Sequence, residues 1–369
     1  MGVLSTALLV STKPPTTGVP LRSPQRRATA GSITLDAEQP NGGVATIDIG
    51  KATLDGGAIN LTANAQIASG IALVTAPTAK AAISIDGATI TASGALTAHA
   101  TAVSEGDLDN LPIGVVVNTA SATIDVIGTT NVHAASASLI SSTTAVSDVE
   151  THSIVPSSAA ADGAVAISTV DSTARAHVGG SAQITTTGAA GLALSATNKV
   201  TVTANATPKQ AQFGASIAVS VVDAQTQAAI DGSAAIDTSA GGGALSLSAS
   251  TTTASTITAA AAAGGGDTPQ SGSEASTYLS DPSYTPYENT GEGKVSVVGA
   301  LAISDLTSHT SATLGSTLAA IAGGAASLSS LTANTVNVKA DGAAGDSSTG
   351  VGVALGINLA TVSNDATLA

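Results

Sequence analysis

The sequence predicts an all-β chain folded as a right-handed parallel β-helix, and two observations carry this prediction. The first is an internal repeat: the stretch Gly163–Gly180, GAVAISTVDSTARAHVGG, returns in five variants. The second is composition, because the 369 residues include one Phe, three Tyr, one Met and no Trp. A broad globular core normally draws on such side chains, whereas Ala, Val, Ile, Ser and Thr suit the narrow interior of a stacked solenoid.

The repeat predicts how the chain is divided into coils. The leading glycines or their equivalents are Gly70, Gly114, Gly163, Gly214, Gly299 and Gly352, spaced by 44, 49, 51, 85 and 53 residues. A second block follows each leading strand, as in LTANA at Leu61–Ala65 and VTANA at Val202–Ala206. We therefore expect ~50-residue units of about two coils each, some thirteen coils in all, in a rod of roughly 60 Å.

Taken in order, the chain begins with a segment that fits no repeat. Residues 1–31 carry four prolines and scattered basic residues, which predicts an extended or disordered N-terminal segment. From Ser32 to Ala369 apolar residues alternate with Thr, Asp, Asn or Gly, the pattern of β-strands separated by glycine turns. The leading strands should supply the interior with their alternating apolar residues, among them Val165, Ile167, Val170, Ile217, Val219, Val221, Leu301 and Ile303.

Charge and residue usage argue against several classes of function. The net charge is −14 with only eleven Lys and Arg, so no basic face is expected to bind nucleic acid. No run approaches the ~20 apolar residues of a membrane-spanning helix. The chain has no Cys, which excludes disulfides and thiolate metal sites. No nucleophile motif, phosphate loop or clustered acid and base stands out, so we predict a protein that is not an enzyme and has no cofactor.

The polar residues that could bind a metal ion or act in catalysis can also be explained as residues of turns or of solvent-exposed strand positions. Glu105, Asp107 and Asp109 lie in the segment Glu105–Pro112, where alternating carboxylates could bind Ca²⁺ but a solvated turn is favoured. The five histidines lack metal-site spacing and are expected at solvated strand positions: His99, His133, His152, His177 and His309. The repeat carboxylates are interpreted as turn formers rather than a catalytic ladder: Asp171, Asp223 and Asp305.

An insertion at residues 264–294 accounts for the enlarged repeat interval. It contains every tyrosine of the chain together with five carboxylates. The tyrosines either seal the loop to the solenoid or contact a partner, and the candidate partner-binding residues are Tyr278, Tyr284, Tyr287, Asp281 and Glu288.

From Ser32 to Ala369 the repeats, which are rich in Ala, Thr, Ser, Val and Gly and free of Cys, resemble those of large repetitive bacterial surface proteins. These are the filamentous-haemagglutinin-like and autotransporter-type adhesins. The resemblance implies a structural stalk, secreted or on the bacterial cell surface as part of a longer chain. It also implies adhesion or biofilm formation, with a glycan or protein of a host or neighbouring cell surface as partner. An ice-binding solenoid, which would need flat ranks of Thr, and a polysaccharide-active β-helix enzyme are the alternatives.

Overall fold

The structure is a computed structural model, and it describes residues 26–40, 43–69, 73–152, 161–208, 213–263, 296–315, 319–344 and 350–369. In these ranges nearly every residue lies in a β-strand, and all strand pairs are parallel. The chain forms two sheets, A and B, which face each other across the interior. An all-β parallel β-helix is therefore confirmed.

Sheet A contains β1 (Arg26–Gln39), β3 (Ala52–Ser69), β6 (Thr89–Leu111), β8 (Asn131–His152), β10 (Gln183–Thr207), β12 (Ala235–Asp237), β13 (Leu245–Ala263), β15 (Ala319–Ile321) and β16 (Ala326–Ala344). Sheet B contains β2 (Gly43–Ile49), β4 (Val74–Thr75), β5 (Thr78–Asp86), β7 (Ile113–Ile127), β9 (Ala161–Val178), β11 (Phe213–Ile230), β14 (Ser296–Leu314) and β17 (Gly350–Leu368). One short 3₁₀ helix, Ser239–Gly241, follows β12.

The number of coils differs from the sequence prediction. The chain passes once through each sheet before it returns: Phe213 in β11 pairs with Ala161 in β9, one repeat earlier. One ~50-residue unit is therefore one coil, not two, because the second block of the repeat is the strand of the opposite sheet. Apart from the short β4, β12 and β15, each sheet has seven described rungs. Seven rungs stack to roughly 30 Å, while an 18-residue strand extends for about 60 Å.

Which alternate residues of the leading strands face the interior, here called the parity of the strand, also differs from the prediction. In β9 the buried residues are Ala164, Ala166 and Ser168, whereas Val165 and Ile167 point outward. The same parity holds in β11 and β14. Of the residues expected in the interior, only Val170 is buried, and the assignment is wrong for Val165, Ile167, Ile217, Val219, Val221, Leu301 and Ile303.

The second half of each strand explains this parity. In β9, Arg175 is partly exposed while its neighbours Ala174 and Ala176 are fully buried. Successive side chains of a strand point to opposite faces, so a continuous 18-residue strand has a single parity from end to end. In the first half of β9, apolar residues occur on both faces, so hydrophobicity alone does not determine which face is buried. Arg175 in the second half must point outward, and it therefore determines the orientation of the whole strand.

The interior has two hydrophobic clusters with polar residues between them. One cluster includes Leu194 and Ala196 of β10, and the other includes Val200 and Val202 of the same strand. Asn198 lies between them and is fully buried. Its position is repeated in the neighbouring rungs of sheet A, and we call the set the polar column: Thr143, Asn198, Thr251 and Thr332.

The polar column is hydrogen-bonded to buried hydroxyls of sheet B. The Ser172 hydroxyl donates to Asn198 Oδ1 at 2.7 Å, and Asn198 Nδ2 donates to the Ser172 carbonyl at 2.9 Å. Further along the axis, the Thr251 hydroxyl is 2.7 Å from that of Thr226 and 2.6 Å from that of Thr310. These bonds connect the two sheets and offset the cost of burying the polar groups.

Four stacked turns connect sheet B to sheet A, at the ends of β5, β7, β9 and β11. Each turn places a glycine in the left-handed region: Gly87 has φ of 71°, Gly128 and Gly180 have φ of 66°, and Gly232 has φ of 68°. A Cβ on Gly180 would lie 3.0 Å from the Gly128 nitrogen, so both conformation and space require glycine. Among the described residues, no helix is long and apolar enough to cross a membrane.

Candidate functional site

The outer surface of sheet B is aliphatic where the leading strands begin. Because the strands pair in register, their outward side chains form continuous ladders across five rungs. The first ladder is Ile113, Val165, Ile217, Leu301 and Leu355. The second is Val115, Ile167, Val219, Ile303 and Ile357. We call these ten residues, with the exposed apolar residues beside them, the aliphatic face.

The aliphatic face is large for a protein surface. Ile217, in a middle rung, is 37% exposed, and Leu355 is 51% exposed. From the strand spacing and rise, the two ladders cover about 300 Å². Exposed apolar residues continue the surface on both sides: Phe213, Val297, Val351 and Val353 before the ladders, and Val117, Val221 and Leu359 after them. The footprint of the whole face, from the strand spacing and rise, then reaches about 700 Å², and it includes the carboxylate of Asp305 between Val221 and Leu359.

The outer surface of sheet B becomes polar further along the strands. Asp171 and Asp223 are direct neighbours in β9 and β11, and Asp305 pairs with Val221 instead. Burial, and then the nearby carboxylate of Asp223, raises the pKa of Asp171, while Lys80 opposes the shift. The interpretation of these three aspartates as turn formers is wrong, since all three lie within strands.

At the end of this polar half, His177 lies between two carboxylates from adjacent coils. Its Nδ1 is 3.1 Å from Asp125 Oδ1, and its Nε2 is 3.1 Å from Asp231 Oδ1. Arg175 Nη1 also contacts Asp125 Oδ1, at 2.7 Å. Burial alone would lower the pKa of His177, but the contacts with the two aspartates outweigh burial and Arg175, and the pKa is raised. His177 is 8% exposed, so the expected solvated position is wrong for this histidine.

On sheet A, the segment Glu105–Pro112 is not the turn that the sequence predicted. Strand β6 continues through it to Leu111, with an irregularity in its pairing with β8 after Leu108. Asp109 lies at this irregularity, next to Glu150 and His152 of β8. One potential ligand atom from each of the three side chains lies within 4.8 Å of the other two. Of the part of the chain that the structure describes, this is the group that could hold a metal ion.

Two further aspartates surround this group. Asp107 pairs with Asp148 across β6 and β8, so the carboxylates are neighbours on the outer face. Burial, followed by repulsion from Glu150, Asp107 and Asp109, raises the pKa of Asp148 to about 6. The site is strongly negative because four carboxylates share a small area.

The residues singled out from the sequence have different outcomes. Tyr278, Tyr284, Tyr287, Asp281 and Glu288 lie outside the described residues, so the candidate partner-binding loop stays a prediction. Asp107 and Asp109 were identified, but Glu150 and His152 were not connected with them. Their distance in sequence from Asp109 is about one coil, and the repeat length would have indicated that they meet.

Comparison of this chain with models of protein families, with curated proteins and with solved structures found no match.

Proposed function

We propose that the chain is a structural β-solenoid stalk of a bacterial adhesin, secreted or on the cell surface. In this proposal it promotes adhesion or biofilm formation by pairing its aliphatic face with the same face of a second copy. The observation that carries the proposal is the pair of in-register aliphatic ladders on the outside of sheet B. Such a surface is costly to leave in water, and contiguous exposed apolar patches mark interaction sites.

The geometry favours a second copy as the occupant. A ladder of Ile, Val and Leu at the strand spacing presents regular ridges, and the same ridges on another copy can interdigitate with them. A two-fold dimer uses one patch twice, so it needs no second complementary surface on the molecule. The footprint of about 700 Å², in which Asp305 is the one carboxylate, approaches the ~800 Å² that each partner contributes to a standard stable interface.

Charge predicts how this association depends on salt. The ladders contain no ionisable side chain, whereas the chain as a whole carries a net charge of −14. Two copies therefore attract through the aliphatic face and repel through the rest of the surface. Added salt screens the repulsion and leaves the apolar contact intact, so association should strengthen with ionic strength.

The experiment compares the full chain with a variant carrying Ile167→Thr and Ile217→Thr. Threonine keeps the β-branched shape and strand preference but lowers the apolar area, so the fold should persist. The matched control is Gln225→Thr, which lies on the polar half of the same surface. Sedimentation equilibrium at low and high salt measures self-association, and clustering of microspheres coated with each protein measures adhesion.

We expect the wild-type chain and the Gln225→Thr control to dimerise and to cluster microspheres, more strongly at high salt. The double variant should remain monomeric and should not cluster microspheres. A wild-type chain that stays monomeric at every salt concentration would overturn the proposal. Clustering that the double variant retains in full would also contradict it, because adhesion would then use another surface.

A further inference from the structure

The cluster of Asp109, Glu150 and His152 lies on sheet A, away from the aliphatic face of sheet B. His152 Nε2 is 3.8 Å from Asp109 Oδ1, which is too far for a direct hydrogen bond. Ligand atoms that share one ion at ~2.1 Å are separated by roughly 3–4 Å, so this distance suits two ligands of the same metal.

Hydrogen bonds to neighbouring residues leave Nε2 of His152 and Oδ1 of Asp109 available for a ligand. His152 Nδ1 is 2.9 Å from the Thr207 hydroxyl, which itself donates to the Thr151 carbonyl at 3.4 Å. The Thr207 oxygen can then accept Nδ1–H, which leaves the lone pair on Nε2. Asn110 Nδ2 donates to Asp109 Oδ2 at 2.6 Å, so Oδ1 is the oxygen left for a ligand. Orientation of a histidine through its other ring nitrogen is characteristic of metal ligands.

Glu150 has a similar contact on its other side. Asn205 Nδ2 lies 3.5 Å from Glu150 Oε1, at the limit of a hydrogen bond. Asn205 and Thr207 both belong to β10, the rung after β8. The ligands therefore come from β6 and β8, and the groups that orient Glu150 and His152 come from the neighbouring rung.

Two further carboxylates next to the cluster would be stabilised by a cation bound there. Asp148 Oδ1 is shielded from solvent and has no hydrogen-bond partner. Asp107 pairs with Asp148, so two more carboxylates adjoin the three candidate ligands. A bound divalent ion would offset the repulsion among these groups.

We infer that Asp109, Glu150 and His152 form a binding site for a divalent transition-metal ion such as Zn²⁺. The imidazole ligand favours zinc-like ions over Ca²⁺ and Mg²⁺, which select oxygen ligands. Three protein ligands leave a fourth position for water. The ion joins neighbouring coils through side chains of β6 and β8, so it acts as a clamp between rungs.

Isothermal titration calorimetry of the full chain with Zn²⁺, and separately with Ca²⁺, tests this site. The variants are Glu150→Gln and His152→Gln, each of which removes one ligand while keeping the size of the side chain. The matched controls are Glu38→Gln in β1 and His133→Gln in β8, which are exposed positions outside the cluster. Thermal unfolding with and without Zn²⁺ gives a second readout, because an ion that binds only the folded chain raises the melting temperature.

We expect one Zn²⁺ per chain, weaker or absent Ca²⁺ binding, and an increase in melting temperature with Zn²⁺. Each ligand variant should bind Zn²⁺ at least tenfold more weakly, and both controls should bind as the wild type does. The inference would be overturned if the wild type does not bind Zn²⁺, or if Glu150→Gln and His152→Gln both bind Zn²⁺ as strongly as the wild type does. Preference for Ca²⁺ with no effect of His152→Gln would assign the carboxylates to a purely oxygen-ligated site and would also contradict it.

Discussion

Replacing Ser168 by Asp should destabilise the solenoid far more than replacing the larger neighbour Ile167 by Asp. Ser168 is fully buried, and its hydroxyl donates to the Ser147 hydroxyl at 2.7 Å. In the adjacent rungs its interior neighbours are Val116 and Ser220. A carboxylate placed there has no cationic partner in these adjacent positions.

The size of the effect follows from the ionisation of the new carboxyl group. A buried Asp at pH 7 stays protonated and so avoids burying a charge. Keeping it protonated costs 1.36 kcal/mol for each pH unit between its ordinary pKa of ~3.9 and pH 7, or about 4 kcal/mol in total. Ile167, in contrast, is on the outer ladder and only partly buried. Loss of its apolar contacts and strand preference should cost about 1 kcal/mol.

Denaturant unfolding at pH 7, followed by circular dichroism, measures both variants. Ser168→Asn is the matched neutral control, and it separates the added volume from the charge. Repeating the series near pH 4 should remove most of the Ser168→Asp penalty, because protonation then costs little. Equal destabilisation by Ile167→Asp and Ser168→Asp at pH 7, or a larger effect at Ile167, would refute the strand parity described above.

Two further predictions concern the edge where sheet B turns into sheet A. Because the pKa of His177 is raised in the folded chain, its contribution to stability is complete below about pH 6.5 and is lost as pH rises through the folded pKa. Thermal unfolding from pH 6 to 8 should therefore show declining stability for the wild type and a flatter profile for His177→Gln; parallel profiles would contradict the role of Asp125 and Asp231. Gly180→Ala should lower stability by about 1–2 kcal/mol, because alanine at a φ of 66° is strained and its Cβ meets the preceding turn; an unchanged denaturant midpoint would contradict this.

The sequence was sufficient for the fold class because repetition and alternation are local signals. The repeat length was also correct, but it could not distinguish one long coil from two short ones. Serine, threonine and glycine within β9 or β10 look like turn residues, whereas in the structure they continue the strands. The coil count was wrong for this reason.

The position of a charged residue, rather than hydrophobicity, predicts which face of strand β9 is buried. Hydrophobicity alone suggested that Val165 and Ile167 point inward, because large apolar residues usually fill a core. Arg175 has the same parity as both, and a charged side chain is the stronger constraint. The cluster of Asp109, Glu150 and His152 was only partly predictable: Asp109 belongs to an acidic segment visible in the sequence, but Glu150 and His152 join it only through the register of β6 and β8.

The polar column has a consequence for how neighbouring coils are aligned during folding. A two-residue slip between rungs would keep the inward and outward faces of every strand, so the alternation of faces alone does not exclude it. Asn198 does distinguish it, because the inward residues on either side of it, Ala196 and Val200, could not replace its hydrogen bonds with Ser172. A slip would separate these buried polar groups from their partners, at a cost of about 1–3 kcal/mol for each group left unpaired. The polar column thus marks the alignment of the coils, together with the packing of the larger buried residues such as Leu192 and Leu194.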